Sequence, residues 1–158
     1  MKHDELLSLI DYNRETGEIR LKVDSTKKRA GDIAGDVNIH GYKRLHLKGR
    51  RYLAHRVAWF YVTGDWPSGI IDHIDRNPTN NAWSNLRLAT KSQNAANMLR
   101  RIGISGAKGV YPQRNGRWQA KITINGVVSC LGTYDTVQAA SDAYFAASQS
   151  AFGEFARR

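Results

Sequence analysis

Within residues 71–94, IDHIDRNPTNNAWSNLRLATKSQN, an aspartate and a histidine stand side by side at positions 72 and 73. A second aspartate follows at 75, and asparagines recur at 77, 80, 81, 85 and 94. A carboxylate and an amide oxygen are hard donors suited to Mg2+ or Mn2+, ions that keep most of their waters and accept phosphate oxygens. Histidine titrates near neutrality and can take a proton from an attacking water. Asp72 and Asn94 as metal donors, with His73 as base, make a chemically sensible set for hydrolysing a phosphodiester, the metal neutralising the charge that develops on phosphate. The asparagines between them can hold a loop rigid through side-chain to backbone hydrogen bonds.

These groups must be brought together by the elements that carry them. GIIDHI reads as a buried strand, DRNPTNNAWSN as a loop and LRLAT as a second strand. TKSQNAANM then starts a helix in which Thr90 and Gln93 form a capping box, so Asn94 falls in or just after the first turn. Strand, loop, strand, helix is the order in which Asp72, His73 and Asn94 can converge. Neighbours on a regular strand face opposite ways, so the strand must end or bend at Asp72–His73. Upstream, HRVAWFYVTGDWPSG fits a short buried helix ending near Gly64. Residues 1 to about 50 read as short strands and turns, with GEIRLKV and GYKRLHLKGRRYLAH alternating at period two. The loop STKKRAGD between them offers Lys27, Lys28 and Arg29 either as phosphate contacts or as a solvated connection. His55 reads as structural or phosphate-contacting, Asp75 as loop-capping, and Asn80, Asn81 and Asn97 as turn and helix polar groups.

After a basic, glycine-bearing stretch, MLRRIGISGAKG, whose Arg100 and Arg101 can lie against a phosphate backbone, the pattern becomes regular again. RWQAKITING alternates apolar and polar residues, Asn125-Gly126 is a two-residue hairpin signal, and VVSCLGTY is the returning strand, with GVYPQ as a third. DTVQAASDAYFAASQSAFG reads as an alanine-rich helix capped by Asp135 or Thr136 and closed at Gly153.

The chain of 158 residues holds 24 Lys and Arg against 14 Asp and Glu, a formal charge of +10 that favours a polyanionic partner. Cys130 is the single cysteine, which excludes an intrachain disulfide and a four-thiolate zinc site and suits a reducing compartment. The acidic N-terminus lacks a signal or membrane segment, so a cytoplasmic protein is expected.

The pattern D-H-x-D, N-N, N-L-R, T-x-x-x-N, carried by Asp72, His73, Asp75, Asn80, Asn81, Asn85, Leu86, Arg87, Thr90 and Asn94, resembles the HNH endonucleases of the phage and homing type, whose fold is the ββα-metal motif. That resemblance implies His73 as general base and Asn85 as the middle asparagine bracing loop and base. It also implies Asp72 with Asn94 as holders of one Mg2+ (or Mn2+). The later segment resembles the DNA-binding domain of plant ethylene-response factors, through Gly109, Val110, Gly116, Trp118, Ala120, Ile122, Leu131, Gly132, Thr133 and the helix positions Thr136 to Gly153. That family reads DNA with an exposed sheet face, which here would present Tyr111, Gln113, Asn115, Lys121, Thr123, Val128 and Cys130. The Arg, Trp and Glu of the plant domains are not retained there, so the plant target preference does not carry over. Arg114 and Arg117 are expected at phosphates.

Together these readings predict an α+β protein. A β-rich N-terminal part leads into a ββα-metal core over residues 1–98, then come a linker at 99–108 and a three-stranded antiparallel sheet packed on one helix at 109–158. The expected function is site-directed or homing-type endonuclease action on double-stranded DNA, with Lys27, Lys28, Arg29, Arg87, Arg100, Arg101 and the sheet residues as DNA contacts. No membrane or obligatory protein partner is expected, and the resemblance points to a phage-infected or prophage-bearing host. The alternative is a non-catalytic DNA-binding regulator that keeps the ββα scaffold.

Overall fold

The computed structural model describes residues 1–98 and 103–157, so Arg100 and Arg101 lie outside the described residues. The chain packs as two units, Met1–Leu88 and Ala89–Arg158.

In the first unit α1 (His3–Leu9) leads into a hairpin of β1 (Ile10–Tyr12) and β2 (Ile19–Leu21), paired Ile10 to Leu21 and Tyr12 to Ile19. The helix corrects the expectation of only strands and turns before residue 50. Two turns are too short to show a helical period, and its burial rests on one residue, Leu6. A second sheet has the order β3 (Asp36–Val37), β4 (Lys43–Leu47), β5 (Arg50–Leu53). Next comes α2 (Ala54–Thr63), ended by Gly64 in the left-handed conformation at φ 81°, the conformation in which glycine ends helices. Leu6, Ile10, Ile19, Leu45, Val57 and Phe60 form one core from all these pieces. β6 (Ile70–His73) and β7 (Leu86–Ala89) pair as a two-stranded sheet, with a loop and a 3-10 turn, Trp83–Asn85, between them. The boundary between units falls inside β7.

The second unit begins with the end of β7 and α3 (Lys91–Asn97), where the Thr90–Gln93 capping box is formed on both sides. β8 (Val110–Pro112), β9 (Trp118–Ile124) and β10 (Val127–Tyr134) make an antiparallel sheet with β9 central. Asn125 (φ 51°) and Gly126 (φ 85°) turn the hairpin, as the dipeptide predicts. α4 (Val137–Phe152) is capped by the Thr136 hydroxyl, which accepts from Ala139 N, and it packs on the inner sheet face through Ala140 and Tyr144. Ala89 and Ala96 join Ile122, Tyr144, Phe152 and Phe155 in the same core. So α3 draws its apolar contacts from the second unit. The packing boundary after Leu88 and the functional boundary expected after residue 98 are different partitions.

Candidate active site

β6 stops at His73, where the chain turns: Arg76 N donates to His73 O, and Arg76 sits at φ 64°. Asp72 and His73 are both buried, at 4% and 6% exposure, and each is held by a different partner from the segment downstream. Asp72 Oδ2 accepts from Arg87 Nε on β7 at 2.9 Å. Arg87 was expected to reach DNA, yet its side chain is 11% exposed and lies against this carboxylate.

His73 Nε2 stands 3.3 Å from Asn81 Oδ1. Asn81 Nδ2 donates to Thr79 O at 3.0 Å, which fixes the amide with its oxygen toward the histidine. An amide oxygen only accepts, so this contact favours the tautomer with the proton on Nε2. Burial lowers the His73 pKa from its ordinary value, outweighing the Asn81 hydrogen bond and the Asp75 and Asp72 charges that act the other way. Burial thus favours the uncharged ring, the form that can accept a proton. His55 on α2 meets His73 edge to face with centroids 5.1 Å apart, and Tyr42 stands 5.5 Å from His55 and 6.1 Å from His73. Burial, then the neighbouring His73 ring and the Arg56 guanidinium, push His55 down to about 3. His55 is thus a neutral ring packed beside His73.

Asn85, expected to brace both loop and base, holds the loop with three hydrogen bonds. Its Oδ1 accepts from Asp75 N (3.0 Å), and its Nδ2 donates to Asp75 Oδ1 and Asn80 O, both at 2.8 Å. Asp75 also accepts from Asn77 N and Asn80 Nδ2, as its loop-capping role predicts. Asn81, which from sequence alone reads as a turn residue, is the amide whose oxygen meets His73. The Asn-Asn pair at 80 and 81 was the available signal, but nothing in it says which amide faces inward.

Asn94 lies on α3 in the second unit, where its Nδ2 is 3.7 Å from Met98 Sδ. Of the expected DNA contacts, Lys27, Arg114 and Thr123 are exposed. Lys28 Nζ instead caps Ile33 O (2.5 Å) and Gly35 O, and Arg29 pairs with Asp24. On the outer sheet face Lys121 Nζ stands 5.8 Å over the exposed Tyr111 ring, and Gln113 Nε2 reaches Gln119 Oε1. Asn115 caps Arg117 N in the β8–β9 turn, while Arg117 bonds Asp135 and Thr133 O.

No group of three or more His, Cys, Asp or Glu side chains gathers into a metal site among the described residues. The Asp72 donor set suits a hard divalent ion that takes one or two protein oxygens and keeps its waters. Asp72 would offer such an ion a carboxylate whose Oδ2 already accepts from Arg87 Nε.

The sequence model of the HNH endonuclease family matches residues 52–96. An uncharacterised HNH endonuclease of Acanthamoeba polyphaga mimivirus is 34% identical over 73% of this chain, and the chain spans 61% of that relative's length. Protein 3.8 of Escherichia phage T7 is 32% identical over 73% of this chain and 95% of its own. The structure describing DNA binding and cleavage by the HNH homing endonuclease I-HmuI is similar at TM-score 0.48 and 20% identity, covering 90% of this chain and 80% of that one.

Proposed function

The chain belongs to the HNH endonuclease family, and from that premise we propose that it hydrolyses phosphodiester bonds of double-stranded DNA, as a site-directed nickase or homing-type enzyme. One observation carries the reading. His73 is buried, its burial favours the neutral ring, and its Nε2 meets the Asn81 amide oxygen, which would leave Nδ1 as the basic nitrogen. Nδ1 takes a proton from water, the hydroxide oxygen bonds to phosphorus, and the bond from phosphorus to the 3′ oxygen breaks, that oxygen taking a proton from solvent water while the imidazolium returns its own to solvent. The products are a 3′ hydroxyl and a 5′ phosphate. Asp72 and Asn94 would hold a Mg2+ or Mn2+ ion, which when bound neutralises charge on the phosphate and the leaving oxygen. Asn85 keeps the loop between β6 and β7 in the shape that presents Asn81 to His73. General-base action of this kind is worth roughly 10²–10⁴-fold.

Residues 109–158 act as a DNA-binding module like the ethylene-response-factor domain, its sheet face contributing Tyr111, Gln113, Lys121 and Thr123, with residues 99–108 as the tether. Tethering raises the local concentration of nuclease at the bound site. The enzyme works in the cytoplasm of a phage-infected or prophage-bearing host. No helix of the described residues is long and apolar enough to cross a membrane.

A second reading, the non-catalytic regulator, is favoured by the Asp72–Arg87 pair, which already occupies one oxygen of the metal-binding carboxylate. Supercoiled plasmid with Mg2+ or Mn2+ separates the two. Nicking by the wild type, lost in His73→Ala with DNA binding retained, supports the enzyme. A wild type that binds DNA and never nicks it, on sequences including the host genome, leaves the regulator.

A further inference from the structure

We propose that Tyr12 is a positioning residue for His73, acting through Asn81, so that the N-terminal hairpin is part of the catalytic apparatus. The inference rests on the nuclease reading for its functional meaning and on geometry for its substance. The family match covers residues 52–96 and leaves the hairpin out.

Asn81 is 1% exposed and is gripped from two directions. Its side chain spans Thr79 O and His73 Nε2. Its backbone is held by the hairpin: Tyr12 OH donates to Asn81 O at 2.7 Å across 69 positions of sequence, and Trp83 N donates to Arg14 O at 2.8 Å. Gly17 closes the grip. At φ 72° it lies so near the 81–82 peptide that a Cβ there would stand 2.3 Å from both Asn81 C and Ala82 N. The Tyr12 ring is itself fixed, 5% exposed and edge to face with Tyr61 at 5.6 Å. Burial raises the Tyr12 pKa to about 12, so the phenol stays a donor throughout the working range.

A side chain one bond from the Asn81 backbone inherits that backbone's position. With Tyr12 OH in place, Oδ1 is presented at the distance that selects the Nε2–H form of His73. Without it, the loop keeps its Asp75–Asn85 bonds but loses the anchor nearest the base.

The test compares wild type, Tyr12→Phe, Asn81→Ala and the double variant in plasmid nicking, DNA binding, thermal melting and nitrogen NMR of the His73 imidazole. Expected is a loss of about tenfold in kcat for Tyr12→Phe, the scale of one buried hydrogen bond, with KM and DNA affinity unchanged. Asn81→Ala loses more, and the double variant is no worse than Asn81→Ala, because both act along one path. NMR shows the Nε2–H tautomer in wild type, a mixture in Asn81→Ala and an intermediate mixture in Tyr12→Phe. A Tyr12→Phe protein with wild-type kcat, or losses that multiply in the double variant, overturns the proposal. If the wild type nicks nothing, the nuclease reading fails, and the tautomer still decides the positioning claim: an unchanged Nε2–H signal in Tyr12→Phe sinks it.

Discussion

Asn85 and His55 illustrate how two buried polar residues of one region act on different quantities. Asn85 satisfies Asp75 N, one Asp75 carboxylate oxygen and Asn80 O. Asn85→Ala leaves those groups to find other partners, and a loss of about 2 kcal/mol in thermal or denaturant unfolding is expected. Asn85→Asp should be worse than Ala, since it sets a carboxylate against that of Asp75. An Asp variant as stable as wild type would show that the loop is held by something else. His55 acts through protons. Its pKa falls from 6.5 to about 3 on folding because burial disfavours the cation, with His73 and Arg56 adding to the effect. Between those values the unfolded chain binds the proton and the folded chain does not. The stability is therefore fully present above pH 6.5 and is lost on acidification, by up to about 1.4 kcal/mol per pH unit from this residue. His73, lowered in the same direction, adds to the loss. His55→Phe keeps a ring beside Tyr42 and His73 and removes the titration, so its melting temperature should fall less between pH 7 and pH 5 than that of wild type. Equal falls would mean that His55 is already charged in the fold.

At the scale of elements, the Gly17 turn tests whether the hairpin is fitted to the loop or merely adjacent to it. Gly17→Ala meets both a positive φ and main-chain atoms of Asn81 and Ala82 that have no freedom to withdraw. A destabilisation of about 3 kcal/mol or more is expected, against about 1 kcal/mol for Gly49→Ala, which carries the strain of the positive φ but faces open space. The comparison isolates the contact from the backbone strain. It also shows why some of the site was legible in the sequence and some was not. The Thr90–Gln93 box, the Asn125-Gly126 turn, the β8–β10 strands and the α4 cap are written in neighbouring residues, and local rules read them. Asp72 and His73 are neighbours in the sequence, and both are buried at the end of β6. The Tyr12–Asn81 bond, the Arg87–Asp72 pair and the His55–His73 contact join residues from 15 to 69 positions apart, and no periodicity encodes which buried polar group meets which. α1 is missed for another reason: its seven residues bury one side chain fully, too little to leave a pattern.

For the whole molecule the governing quantity is the charge of +10, and what it does depends on how much of it is free to meet phosphate. Lys28, Arg29, Arg44, Arg87 and Arg117 are each tied to an acceptor of the chain itself. Lys27 and Arg114 stand exposed, and Lys121 Nζ lies above Tyr111 on the outer face. DNA affinity should fall linearly on a log–log plot against salt, with a slope of about −0.9 per phosphate neutralised. Because the tied cations already have partners, the slope should be well short of what 24 basic residues would give if all met phosphate. Lys121→Ala and Arg114→Ala should each flatten it by about one unit. Lys28→Ala should leave the slope alone and instead lower thermal stability, because its ammonium holds the Ile33 and Gly35 carbonyls. A Lys28→Ala protein whose slope flattens as much as that of Lys121→Ala would show that the basic loop exchanges its internal bonds for phosphate on binding. Recognition would then be a joint property of both units rather than of the C-terminal sheet.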